Sequence, residues 1–192
     1  NRIAALNHSR QAVQLDPNNY DLYMNIYECY DQCSRSGVGY AYLQSALNIH
    51  GEDQEDAYQR ARIYYYLGDY ETARGILIDP VENKYEPAMF LMGDVYLATG
   101  ETARAKSIYQ LIQATYGDSA HCFNGLAMCS ITDKNWEEAL NLISQGLAMK
   151  RGLRDGTGEN KGVHGPLRYR SARPEGADLP VDPLIKTGSG ES

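Results

Sequence analysis

The chain has 192 residues, a net charge of −7 at neutral pH and a hydrophobic fraction of 43%. These values suit one soluble domain or one repeat array. The acidic balance argues against a nucleic-acid partner, whose phosphates need a basic surface, and no run approaches the roughly 18 apolar residues that cross a bilayer.

The chain opens inside a helical pattern. Ala5, Ser9, Ala12 and Pro17 read as the second helix of a hairpin whose first helix lies upstream, as would any leader, lipid anchor or earlier repeat. Residues 20–53 predict the next hairpin. Tyr23, Ile26, Tyr27 and Tyr30 fall at three- and four-residue steps, the one-sided apolar stripe of a packed helix. Ser34 to Gly37 breaks it, and Gly39, Leu43, Ala46 and Leu47 mark a second helix that stops near Gly51. Residues 54–85 centre on the string from Tyr64 to Ala73, where Gly68 permits a tight turn and Asp69 caps the following helix. Pro80 predicts that this helix ends early, near Asp79. Residues 86–119 carry Met89, Met92, Gly93, Tyr96, Gly100, Ala105 and Tyr109. From Ala120 come Phe123, Leu126, Ala127, Trp136, Ala139 and Ile143, to about residue 150.

From residue 151 the composition changes. Glycine and proline punctuate the segment, and helical periodicity disappears. Residues 1–150 hold 11 basic and 19 acidic side chains against 7 and 6 in residues 151–192. Such a stretch buries too little apolar surface to offset chain entropy, so a disordered tail is expected. Only Ala177 to Ile185 has apolar content. Helical arrays usually close on a polar capping helix, and none is readable after Lys150. The last hairpin is therefore expected to present an uncapped face near Leu142 and Leu147.

The marks recur at a spacing close to 34 residues, the signature of a stacked array. Small residues return at one helix contact (Ala61, Gly93 and Ala127, with bulky Tyr27 in the first full unit) and at another (Gly39, Ala73, Ala105, Ala139). With Pro17 in the family's proline position, residues 1–150 resemble a tetratricopeptide repeat protein. Its units are 1–19 (partial), 20–53, 54–85, 86–119 and 120–150. The resemblance implies an all-α, right-handed superhelical solenoid of antiparallel helix pairs, about four and a half repeats long. Tyr27, Arg60, Pro80, Ile112 and Ser130 depart from the family pattern.

No catalytic constellation is legible. His8, His50, His121 and His164 are scattered and read as surface residues, and Gly156-Thr157-Gly158 lacks the rest of a phosphate loop. Cys29, Cys33, Cys122 and Cys129 lack zinc-site spacing and read as free thiols, which fits a reducing compartment and favours the cytoplasm. No enzyme activity, cofactor or metal is expected. The resemblance implies a protein-interaction scaffold whose first helices line a concave groove. The groove positions include Asn25, Glu28, Asp31, Tyr58, Arg62, Tyr65, Phe90, Asp94, Leu97, Asn124 and Met128. The expected partner is a protein or peptide that is apolar with basic residues. The alternative is assembly through the uncapped end. The lysine-rich clamp that some relatives use on chaperone tails is not matched.

Overall fold

A computed structural model of the chain describes residues 2–33 and 35–154. The segment expected to be disordered lies outside these residues from position 155 onward. Among the described residues every regular element is an α-helix, in the order α1 (Arg2–Leu15), α2 (Tyr20–Gln32), α3 (Ser36–Ala46), α4 (Gln54–Leu67), α5 (Tyr70–Glu82), α6 (Glu86–Ala98), α7 (Thr102–Tyr116), α8 (Ala120–Thr132) and α9 (Trp136–Arg154). Two compact units result, divided between Gly68 and Asp69.

The first unit holds α1–α4. Asn19 caps α2 by accepting from the Asp21 N–H, and Asp53 caps α4 by accepting from the Asp56 N–H. Tyr23, Met24, Ile26, Tyr27 and Tyr30 from α2 bury against Tyr40, Tyr42, Leu43 and Ala46 from α3, with Ile63 from α4. Tyr27 is bulky where the repeat pattern calls for a small residue. Its partner position compensates: a Cβ on Gly39 would stand 3.0 Å from the Tyr27 ring. The ring stacks on Tyr40 at 5.7 Å and meets Tyr66 of α4 at 5.3 Å.

A buried carboxylate ties this unit together. Asp56, only 6% exposed, accepts from the Tyr20 hydroxyl at 2.5 Å and stands 2.9 Å from Arg60 Nε. The Arg60 contact is an ion pair without hydrogen-bond alignment. Arg60, an oddity in the sequence, is thus the counter-charge of a buried acid. Burial first, and then the bond to Asp56, push the Tyr20 hydroxyl well above the usual tyrosine range.

The second unit holds α5–α9. Pro80 does not stop α5, which runs to Glu82. Only one late i→i−4 bond is forfeited, and the end is closed by Lys84 N–H to Val81 and Tyr85 N–H to Pro80 carbonyls. The core joins Met89 and Phe90 of α6, Ala105, Tyr109 and Ile112 of α7, and Cys122, Leu126 and Cys129 of α8. Ser130, where an aromatic was expected, is 1% exposed and returns its hydroxyl to the Leu126 carbonyl. Tyr109 occupies a slot between two glycines. A Cβ on Gly93 would come within 2.7 Å of its ring, and one on Gly125 within 2.4 Å. α9 continues to Arg154, four positions past the expected boundary; Gly152 alone does not break a helix otherwise rich in helix formers.

The turns follow one rule. The helix ends at Gly68 and Gly100 have φ of +84° and +79°, a conformation glycine adopts without strain. The matching turn after α8 places Lys134 at φ +60°. A side chain there costs about 1–2 kcal/mol.

Three measurements test this packing. Gly125→Ala should lower the urea midpoint by an amount worth about 1–3 kcal/mol, because overfilling outweighs the gain in helix propensity of roughly 1 kcal/mol. An unchanged or raised midpoint would refute the slot. Lys134→Gly should stabilise by about 1 kcal/mol in the same assay. Tyr20→Phe should cost about 2 kcal/mol at neutral pH by removing a bond to a carboxylate. The raised Tyr20 pKa keeps that hydroxyl protonated in the folded chain when the unfolded chain has begun to ionise. Its contribution is whole below pH 10 and is lost as pH rises beyond. Wild-type stability should therefore fall more steeply above pH 10 than that of Tyr20→Phe.

Candidate functional site

The expected groove positions lie on α2 and α4 of the first unit and on α6 and α8 of the second. On α2, Asn25 and Glu28 are exposed and Asp31 is half-buried. On α4, Tyr58 and Tyr65 are each only 6% exposed, so both belong to the buried interior. Arg62 is half-buried and already engaged. Its guanidinium donates to Gln59 Oε1 at 3.3 Å and lies 3.7 Å from Asp21 Oδ1. That pairing sets α2 beside α4, as does the Tyr27–Tyr66 ring contact.

In the second unit, Phe90 is a core residue, 5% exposed. Its ring lies flat against His121 of α8, with centroids 4.2 Å apart and planes 6° apart. Asp94 is not a free surface charge. Its Oδ1 accepts from the Tyr109 hydroxyl at 2.5 Å, its Oδ2 stands 3.5 Å from His121 Nε2, and both acid and imidazole are 12% exposed. Asp94 Oδ2 and His121 Nδ1 are buried without a hydrogen-bond partner. Leu97 and Met128 are half-buried and Asn124 is exposed. Gly125, also at a groove position by repeat register, instead faces the Tyr109 ring.

Sequence reading therefore missed His121. It was expected at the surface, yet it closes a cluster with Phe90, Asp94 and Tyr109. The signal was its repeat register, which sets it beside the first helix of the preceding hairpin. Each member has a physical role. The Tyr109 ring fills the glycine slot, its hydroxyl pins Asp94, and Asp94 holds His121 against Phe90. A buried tyrosine must place its hydroxyl, and a buried carboxylate must find donors.

The four cysteines are free. Cys33 is exposed and Cys29 half-buried, while Cys122 and Cys129 are fully buried. Burial pushes the Cys122 thiol up, and the Cys129 thiol to about 11, so neither is a ready thiolate near neutral pH. Among the described residues no three His, Cys, Asp or Glu side chains converge as metal ligands. No helix among them is long and apolar enough to cross a membrane.

Comparison with known proteins bears on the fold. Residues 87–119 match the tetratricopeptide repeat family. No curated protein matches the chain. Among solved structures, the chain is similar to the crystal structure of MamA, with a TM-score of 0.50, 14% identity, and coverage of 78% of this chain and 89% of that one. It is also similar to YrrB, described as a TPR protein with an unusual peptide-binding site, with a TM-score of 0.48, 19% identity and coverage of 77% of each chain. The matched residues span α6 and α7, helical hairpins of the same kind recur as α2–α3 and α8–α9, and the fold is that of a tetratricopeptide-like helical repeat.

Proposed function

We propose that the protein is a non-enzymatic interaction scaffold that binds a peptide or partner helix on the exposed faces of its first helices. The observation that carries this reading is on α6 and α8. The Phe90–His121 and Asp94–His121 contacts hold these helices side by side. Their inner faces are buried, yet Leu97 and Met128 remain partly accessible and Asn124 is exposed. Partly accessible leucine and methionine next to an amide suit an apolar segment with one polar anchor. The first unit, taken by itself, offers exposed Glu28 and half-buried Asp31, which favour cationic segments and faster encounter at low salt. The apolar anchoring assigned to Tyr58, Tyr65 and Phe90 passes to Leu97 and Met128, because the three rings are buried.

A second reading, assembly, is favoured by one separate observation. α9 exposes Trp136, Leu140 and Leu147, at 60%, 66% and 52%.

A peptide library screened against the full chain should return apolar sequences carrying at least one basic residue. Met128→Glu and Leu97→Glu should each weaken the best hit at least tenfold, with helicity unchanged by circular dichroism. Acidic hits, or affinity that survives both changes, would remove the α6–α8 face from consideration.

A further inference from the structure

α9 is apolar on two faces. One face carries Ala139, 2% exposed, half-buried Leu142, and Gly146, whose Cβ position lies 3.3 Å from Phe123; this face packs on α8. The other face carries Trp136, Leu140, Ile143 and Leu147, exposed at 60%, 66%, 38% and 52%. Lone exposed apolar residues such as Leu111 on α7 or Ile78 on α5 are ordinary. Four large ones in line are not, since a contiguous patch of a few hundred Å² marks an interaction site.

The spacing of the four is 4, 3, 4. That is the a/d seam of a two-helix coiled coil, narrower than the stripe of a helix laid on a globular core. The same register runs on in the sequence to Lys150 and Arg154 within α9, and the first turn of the helix carries Glu137 and Glu138. The helix is thus acidic in its first turn, apolar along the seam and basic at its other end.

From this we infer that α9 pairs antiparallel with α9 of a second copy of the chain, about a two-fold axis between Leu140 and Ile143. The inference rests on the assembly reading and names its partner. The two-fold sets Trp136 opposite Leu147 of the other copy and Leu140 opposite Ile143. It brings the acidic first turn at Glu137 toward the Lys150 end of the other helix, twice by symmetry. A parallel pair would oppose like charges at both ends, which disfavours it.

Trp136 is the only tryptophan in the chain, so its fluorescence reports this face alone. The full chain should be followed by sedimentation velocity and by tryptophan emission over a concentration series. The expected result is a monomer–dimer equilibrium whose emission shifts to the blue as dimer forms. Leu140→Asp, at a position exposed in the monomer, should weaken the dimer at least tenfold while leaving far-ultraviolet circular dichroism and melting of the monomer unchanged. Glu137→Lys and Lys150→Glu should each weaken it, and the double variant should recover affinity, which a parallel pair would not show. Three outcomes overturn the inference. A dimer with unchanged emission places self-association on another face and leaves the assembly reading standing. A monomer with blue emission at every concentration means the face is covered within one chain, by a segment such as Leu179 to Ile185. A monomer with water-like emission throughout removes both the inference and the assembly reading.

Discussion

The ring of Tyr109 sets the geometry of the second unit. It is fully buried, and it stands where any side chain at Gly93 or Gly125 would collide with it. A ring of that size brings its hydroxyl inside with it, and a buried hydroxyl needs a partner. Asp94 is that partner. The second oxygen of the acid stands 3.5 Å from His121 Nε2 of the next hairpin, in contact but without a hydrogen bond. His121 finally lies flat on Phe90. One large residue thus accounts for two glycines, an acid and an imidazole that are both largely buried, and the lateral spacing of α6 and α8.

The first unit applies the same volume rule with the sizes exchanged. At the contact between α2 and α3, Tyr27 stands where the later hairpins carry Ala61, Gly93 or Ala127, and Gly39 leaves room for its ring. A bulky residue at a close helix contact needs a small one opposite it. Electrostatics follows a parallel rule. Asp56 is buried, so Tyr20 and Arg60 are placed to meet it, and a cation in a nominally apolar position ceases to be an exception.

These internal demands decide which surfaces are left for partners. Tyrosines on the first helices are spent on packing, and Asp94 and Arg62 are spent on neighbours. The accessible remainder is modest: Leu97, Met128 and Asn124 on one pair of first helices, and acids with Asn25 on the other. The largest apolar exposure lies elsewhere, along α9. An array built by stacking always has a final helix whose outer face has no neighbour from the next repeat. Where that face is polar the array stops. Here α9 exposes a leucine, isoleucine and tryptophan seam, and the proposed pairing is built on that face.

The sequence by itself determined the fold class, which follows from local rules: a 34-residue period, a capping residue such as Asp69, and glycine where the chain must turn with positive φ. It also marked the departures at Tyr27, Arg60 and Ser130 without explaining them. Tertiary structure decided the rest: Arg60 and Ser130 are answered four residues back, by Asp56 and the Leu126 carbonyl, but packing alone buries those groups, and Tyr27 is answered by Gly39 of the next helix. Helical periodicity places Tyr58, Tyr65 and Phe90 on one face of a helix. It does not say whether that face meets solvent or another helix, and burial settles that. Nor does the sequence pair Asp94 with His121, 27 positions on, since only the slot for Tyr109 brings them together. Trp136 shows the converse. It holds a recurring large position of the repeat, yet it stands exposed, because what buries a residue is the presence of a neighbour and not its own hydrophobicity.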